Sequence, residues 1–128
     1  MVKKSMTGQK GFTLIEIMIA IFLLAVALLG LASVTTSVIK GNSFSQTLTT
    51  ATTLAKDKME DLKGMSYTAL PTGTVTDYAT ADGTVQTSAT GSYYTRSWNA
   101  PGTDTKTITV TVTWSFNRTV QLQTIRAK

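Results

Sequence analysis

Three hydropathy patterns succeed one another along the chain. From Phe12 to Val34 the residues are apolar, with one charge, Glu16, among them. A run of about 23 residues is long enough to cross the roughly 30 Å hydrocarbon core of a bilayer as a helix. Beyond Val34 the chain turns polar but keeps helical spacing as far as Lys63. Leu48, Ala51, Ala55, Met59 and Leu62 recur three or four apart and trace one apolar face, while Lys56, Asp57, Lys58, Glu60, Asp61 and Lys63 take the remaining positions. Lys56 and Glu60 have the spacing of a weak ion pair on that face. Gly41-Asn42-Ser43 offers a break, with Gly suited to a helix end and Asn or Ser to a new cap, although near-continuity is the expectation. Gly64 is expected to stop the helix by taking a positive φ.

The third pattern has period two. Thr105 to Phe116 alternates strictly: Ile108, Val110, Val112, Trp114 and Phe116 face one way and Thr107, Thr109, Thr111 and Thr113 the other, which predicts a strand with one buried and one wet face. The return strand, Thr119 to Ile125, shares its face through Val120 and Leu122. Matching the two sets predicts Trp114 opposite Leu122 and Phe116 opposite Val120, with a loop centred on Arg118 or a bulge; a two-residue turn has the wrong parity. Between helix and hairpin, residues 64–104 are rich in Thr, Gly, Ser and Ala with Pro71 and Pro101 as breakers, hence loops and short strands. Tyr94, Arg96 and Trp98 alternate with Tyr93, Thr95 and Ser97 as one such strand. These tyrosines suit a sugar or peptide site, though core and sheet surface are the commoner uses. The expected fold class is α+β: a long N-terminal α-helix, one half fit for a membrane and one half amphipathic, packed on a small antiparallel β-sheet.

At 128 residues the chain has room for one membrane helix and one small domain. Lys3, Lys4 and Lys10 precede the apolar run. By the bias of basic residues toward the cytoplasm they hold the N-terminus inside and send the rest across the membrane. The net charge of +5 falls close to neutral without these three lysines. Arg96, Lys106, Arg118, Arg126 and Lys128 are scattered along the remainder and are read as solvated surface, so no nucleic-acid partner is expected. With no cysteine, the redox compartment is left open.

Three readings compete for the first forty residues. A secretory signal peptide would use Gly30-Leu31-Ala32-Ser33 as its cleavage site, but the apolar stretch exceeds the 7 to 15 residues of such a signal and would have no use for an acid. A plain anchor explains the length and the lysines and leaves Glu16 without a purpose. An ionisable residue in a spanning segment costs a few kcal/mol and marks function by default. The third reading rests on the string Gly11-Phe12-Thr13-Leu14-Ile15-Glu16, which resembles the cleavage and methylation motif of type IV prepilins and of the secretion-system pseudopilins.

That resemblance implies that a prepilin peptidase cuts between Gly11 and Phe12 on the cytoplasmic side, that the same enzyme N-methylates Phe12, and that Glu16 serves assembly. Residues 1–11 are then a cleaved leader, 12–34 the transmembrane and assembly helix, 35–63 the amphipathic half of the helix, 64–104 a variable region and 105–128 a C-terminal β-hairpin. The implied partners are the peptidase, other pilin or pseudopilin subunits, the inner-membrane assembly platform and, before assembly, membrane lipid. Cleavage leaves a cationic amine at the membrane face, and a carboxylate one turn further in can attract the amine of a neighbour or that of its own chain. Small size at Gly11 suits a narrow protease cleft, and Thr13 can cap the first turn of the processed helix.

The ending, Val-Thr-Val-Thr-Trp followed by a turn and Val-Gln-Leu-Gln-Thr, is similar to the close of PilV-type minor pilins and their pseudopilin relatives. Many major pilins carry a proline in the membrane helix and a cysteine pair near the C-terminus, and this chain has neither. The resemblance therefore implies a minor pilin of a type IV pilus. A pseudopilin of a type II secretion system is the alternative, and a membrane-anchored binding module is the alternative from another class. An enzyme is not expected: there is no His or Cys, and outside the helix the acids are Asp77, Asp82 and Asp104. Asp77 and Asp82 flank Ala81-Asp82-Gly83, which suits a turn better than a calcium site. No cofactor and no metal are expected.

Overall fold

A computed structural model describes residues 11–128. The expected leader, with Lys3, Lys4 and Lys10, lies outside the described residues apart from Gly11. The elements in order are a helix α1 (Leu14–Gly64), a short 3₁₀ turn (Tyr67–Ala69) and five strands: β1 (Val75–Ala79), β2 (Val85–Gln86), β3 (Tyr94–Asn99), β4 (Thr105–Trp114) and β5 (Arg118–Ala127).

Helix α1 runs without interruption through Gly41-Asn42-Ser43. One glycine costs a helix about 1 kcal/mol, too little to end one this long. In the Ser/Thr-rich stretch the hydroxyls bond back onto the helix: Thr35, Thr36, Ser37, Thr49, Thr50 and Thr52 each donate to the carbonyl four residues back, at 2.8–3.2 Å. The helix does not end by a left-handed Gly64, which falls outside the positive-φ glycines. Arg126 caps it instead, donating from Nη1 to the carbonyls of Lys63, at 3.1 Å, and Met65. A cation there also complements the negative helix end.

The strands form one antiparallel sheet in the order β2-β1-β3-β4-β5. Its inner face carries Ala79, Tyr94, Ile108, Val110, Val112 and Trp114, all buried, against Ala51, Leu54, Ala55, Met59 and Leu62 of α1. This is an α+β arrangement of one long helix and a small five-stranded sheet, as in type IV pilins. The helical face differs from the expected stripe at two positions: Leu54 joins the core, and Leu48 is exposed. Glu60 pairs with Lys63 at 3.0 Å rather than with Lys56.

The hairpin corrects two expectations. Val110 pairs with Leu122, Val112 with Val120 and Trp114 with Arg118, so β5 is shifted by four residues from the expected register and the loop is Ser115-Phe116-Asn117. Phe116 leaves the core and is 93% exposed. The parity is retained because an even shift keeps every side chain on its face. Placing Arg118 in the strand sends its guanidinium over the Phe44 ring, 4.7 Å from the centroid. A loop of three then turns through two left-handed residues, Phe116 and Asn117, with φ of 58° and 60°. Asn takes that conformation readily, whereas Phe does so at a cost of about 1–2 kcal/mol. Gly102, at φ 127°, is needed where the chain enters β4, since a Cβ there would lie 2.0 Å from the Thr105 carbonyl oxygen.

Candidate functional site

Gly11, Phe12 and Thr13 precede the helix and are exposed; α1 begins at Leu14. Thr13 is its N-cap. The Glu16 amide donates to the Thr13 carbonyl at 3.1 Å and to Thr13 Oγ1 at 3.3 Å. Thr13 and Glu16 thus occupy the two positions of a capping box, a pairing visible in the Thr-x-x-Glu spacing. A first-turn carboxylate at the positive helix end gains about 0.3–1 kcal/mol. That is well below the few kcal/mol that a carboxylate loses within lipid, so the local role alone does not account for an acid here.

Every side chain from Phe12 to Val34 is exposed to at least 46% where it is large and apolar. The most apolar window of α1 has a mean hydropathy of 2.9, and none of it is buried within the chain. Fourteen Phe, Leu, Ile and Val residues lie in this segment. At about 0.3–0.6 kcal/mol each for insertion into a bilayer, they favour it by roughly 4–8 kcal/mol, against about 2.5–3.5 for one charge at the helix centre. Glu16, one turn from the start, sits closer to the interface than that. The segment therefore fits membrane anchoring even with one acid in it.

In the helix–sheet domain, two cations read as solvated surface are buried. Arg96 is 5% exposed: Nε and Nη2 grip the two oxygens of Asp77 at 2.9 and 2.7 Å, and Nη1 donates to the Leu54 carbonyl at 3.0 Å. Lys58 stands 4.0 Å from Asp77 Oδ2 and 4.0 Å from the Trp98 ring centroid. Lys106, 6% exposed, donates to the carbonyls of Tyr67 and Leu70 at 3.0 and 3.1 Å. Both cations tie elements together: Arg96 and Asp77 join β3 to β1 and α1, and Lys106 holds the 3₁₀ turn against β4. Their signal in the sequence was position, since each occupies an inward site of an alternating strand.

The two aspartates expected to flank a turn are engaged separately. Asp77 belongs to the Arg96 pair. Asp82 accepts bonds from the hydroxyls of Thr80 and Thr84 and from the Thr84 amide, which hold its carboxyl below the usual range and build the turn from β1 to β2. Tyr94 is buried, packs edge-on to Tyr93 with centroids 4.9 Å apart, and donates its hydroxyl to the Thr47 carbonyl at 3.1 Å. Its ring is core and is not available as a ligand-stacking surface.

A family model, the prokaryotic N-terminal methylation motif, matches residues 6–32. No curated protein and no solved structure matches the chain. The N-terminal segment thus carries a type IV prepilin-like signal. This signal and the fold fit a structural subunit that is processed by prepilin peptidase and assembles with other pilins.

Proposed function

We propose that this chain is a minor pilin, a structural subunit or assembly initiator of a type IV pilus. In this reading prepilin peptidase removes residues 1–11 on the cytoplasmic side and methylates the new amino group of Phe12. The 12–34 segment holds the subunit in the inner membrane with the remainder outside, then passes into the filament. Residues 35–63 continue the helix into the exported domain, 64–104 form its variable region, and 105–128 its closing hairpin.

One observation carries the proposal. A helical segment, 12–34, apolar around its whole circumference finds no cover within its own chain, and the single charge in it, Glu16, lies in the first turn of α1 and within the matched residues 6–32. Lipid covers the apolar surface but leaves the carboxylate unpaired. A bundle of like helices covers the same surface and brings a methylated amine to the acid, so the step from bilayer to filament is downhill at that residue. The absence of a membrane-helix proline and of cysteines supports a minor rather than a bulk subunit.

A pseudopilin of a type II secretion system uses the same site and the same physics, and the two are told apart by which assembly fails when the protein is absent. A tethered binding module would keep its activity on another anchor, whereas a filament subunit would lose it.

The test is Glu16→Gln in cells that assemble filaments. Membrane fractions should contain the variant at the normal level, and sheared filaments should lack it. Normal incorporation of Glu16→Gln would remove the charge-docking role.

A further inference from the structure

The two edges of the sheet are unlike. One ends in β2, a strand of two residues. The other is β5, ten residues long, paired with β4 in unbroken register from Ala127 to Arg118. Open edges invite pairing with another chain, and proteins blunt them with shortness, proline, bulges or charge. The β2 edge is short. The β5 edge has no proline, no bulge and no charged residue from Thr119 to Ile125.

The hydrogen-bond phase of this edge follows from one contact. Lys128 N–H donates to the Asp104 carbonyl at 3.1 Å, which makes Asp104 and Lys128 a hydrogen-bonded pair in line with the β4/β5 register. Such pairs alternate along antiparallel strands. The even-numbered residues of β5 therefore bond to β4, and Thr119, Gln121, Gln123 and Ile125 direct both N–H and C=O to the open side. Four successive outward pairs match a strand of about eight residues.

A second feature lies beside this edge. Between β5 and α1 runs a cleft of about 240 Å³, floored by Met59 and Leu122 and rimmed by Lys56, Glu60 and Lys63. Val120 and Leu122 pack on the core but stay partly open. A strand added to β5 would set alternate side chains over this floor, where they would complete the cover. On the opposite face it would lie beside Ile125, which is 71% exposed.

Charge narrows the occupant. Glu60 is held by Lys63, Lys56 has no acidic partner within 4.0 Å among the described residues, and Arg118 and Arg126 close the two ends of the edge. We propose that the β5 edge and the adjoining cleft form a strand-addition site for an extended segment of a partner protein, apolar at alternate positions and acidic at its flanks. Main-chain bonds supply the affinity and the cleft with its cationic rim supplies the selection. This surface is independent of the N-terminal motif and goes beyond the filament role.

The test uses the full chain in detergent micelles and hydrogen exchange of the β5 amides. The probe is the synthetic peptide Asp-Val-Thr-Val-Thr-Val-Thr-Asp, with two controls: a Lys-flanked version, and one N-methylated at alternate residues to remove the donors facing β5. The Asp-flanked peptide should slow exchange at Thr119, Gln121, Gln123 and Ile125 at least tenfold. The Lys-flanked peptide should protect them several-fold less, and the N-methylated one not at all. Val120 and Leu122 amides, bonded to β4, report that the fold is intact throughout. Lack of protection at millimolar peptide, or equal protection by all three peptides, would overturn the proposal. So would protection of the odd-numbered amides that rises with protein concentration in the absence of peptide, which would assign the edge to a second copy of the chain.

Discussion

Removing the Asp77 carboxylate should be among the most damaging single changes to the helix–sheet domain. Arg96 is almost fully buried, and its charge is balanced by that carboxylate through two bonds of 2.9 and 2.7 Å. In Asp77→Ala the guanidinium keeps only the Leu54 carbonyl, and Lys58, formerly 4.0 Å from the carboxylate, becomes an unopposed second cation nearby. Breaking a buried pair by deleting one partner costs about 3–5 kcal/mol. Stability of roughly 0.05–0.15 kcal/mol per residue makes this a large share of the total for a domain of this size. Asp77→Asn keeps the shape and an acceptor and should lose less. Replacing both partners, as Asp77→Leu with Arg96→Met, should recover most of the loss, because no charge is left to desolvate. Guanidinium unfolding of the full chain in micelles, followed by the fluorescence of Trp98 and Trp114, measures all three. A loss below about 1 kcal/mol for Asp77→Ala, or a double variant no better than the single one, would refute the pairing as a buried interaction.

Trp114→Ala should cost about 3–5 kcal/mol by opening a cavity under the sheet, whereas Trp114→Phe should cost much less because the indole Nε1 is buried without a partner and its loss removes that penalty; equal losses in urea titration would deny the burial. Tyr94, whose pKa is raised chiefly by burial, keeps its proton in the folded state after the unfolded chain has given it up, so stability should fall as the pH rises beyond about 10. Tyr94→Phe should flatten that fall in unfolding midpoints compared at mildly and strongly alkaline pH, and an unchanged slope would assign it to other groups.

What the sequence made legible was governed by periodicity. Strict alternation in β4 placed Ile108, Val110, Val112 and Trp114 on the buried face, and all four are core. Alternation could not fix where the hairpin turns, because slipping by two leaves every face unchanged; the Phe44–Arg118 contact and the left-handed Asn117 settle it. The α1 stripe identified Ala51, Ala55, Met59 and Leu62 but not Leu54, since a broad helix–sheet contact takes in a position flanking the stripe. Composition misread Arg96 and Lys106 as solvated because residue type outweighed their inward strand positions. Helix termination by Arg126 had no local signal at all: the cap comes from more than sixty residues away. At the N-terminus the reverse holds. Segment, cap and acid are contiguous, so the candidate site is legible as a string, and the Thr-x-x-Glu spacing carries the capping-box relation of Thr13 to Glu16 as well.

The central claim concerns the N-terminus of the protein as it exists in the cell, and the mass of its N-terminal peptide tests that directly. The protein purified from cells with an active prepilin peptidase should begin at Phe12 and carry one added methyl group on its amine. A chain beginning at Met1 in those cells, or one cut elsewhere than between Gly11 and Phe12, would contradict it.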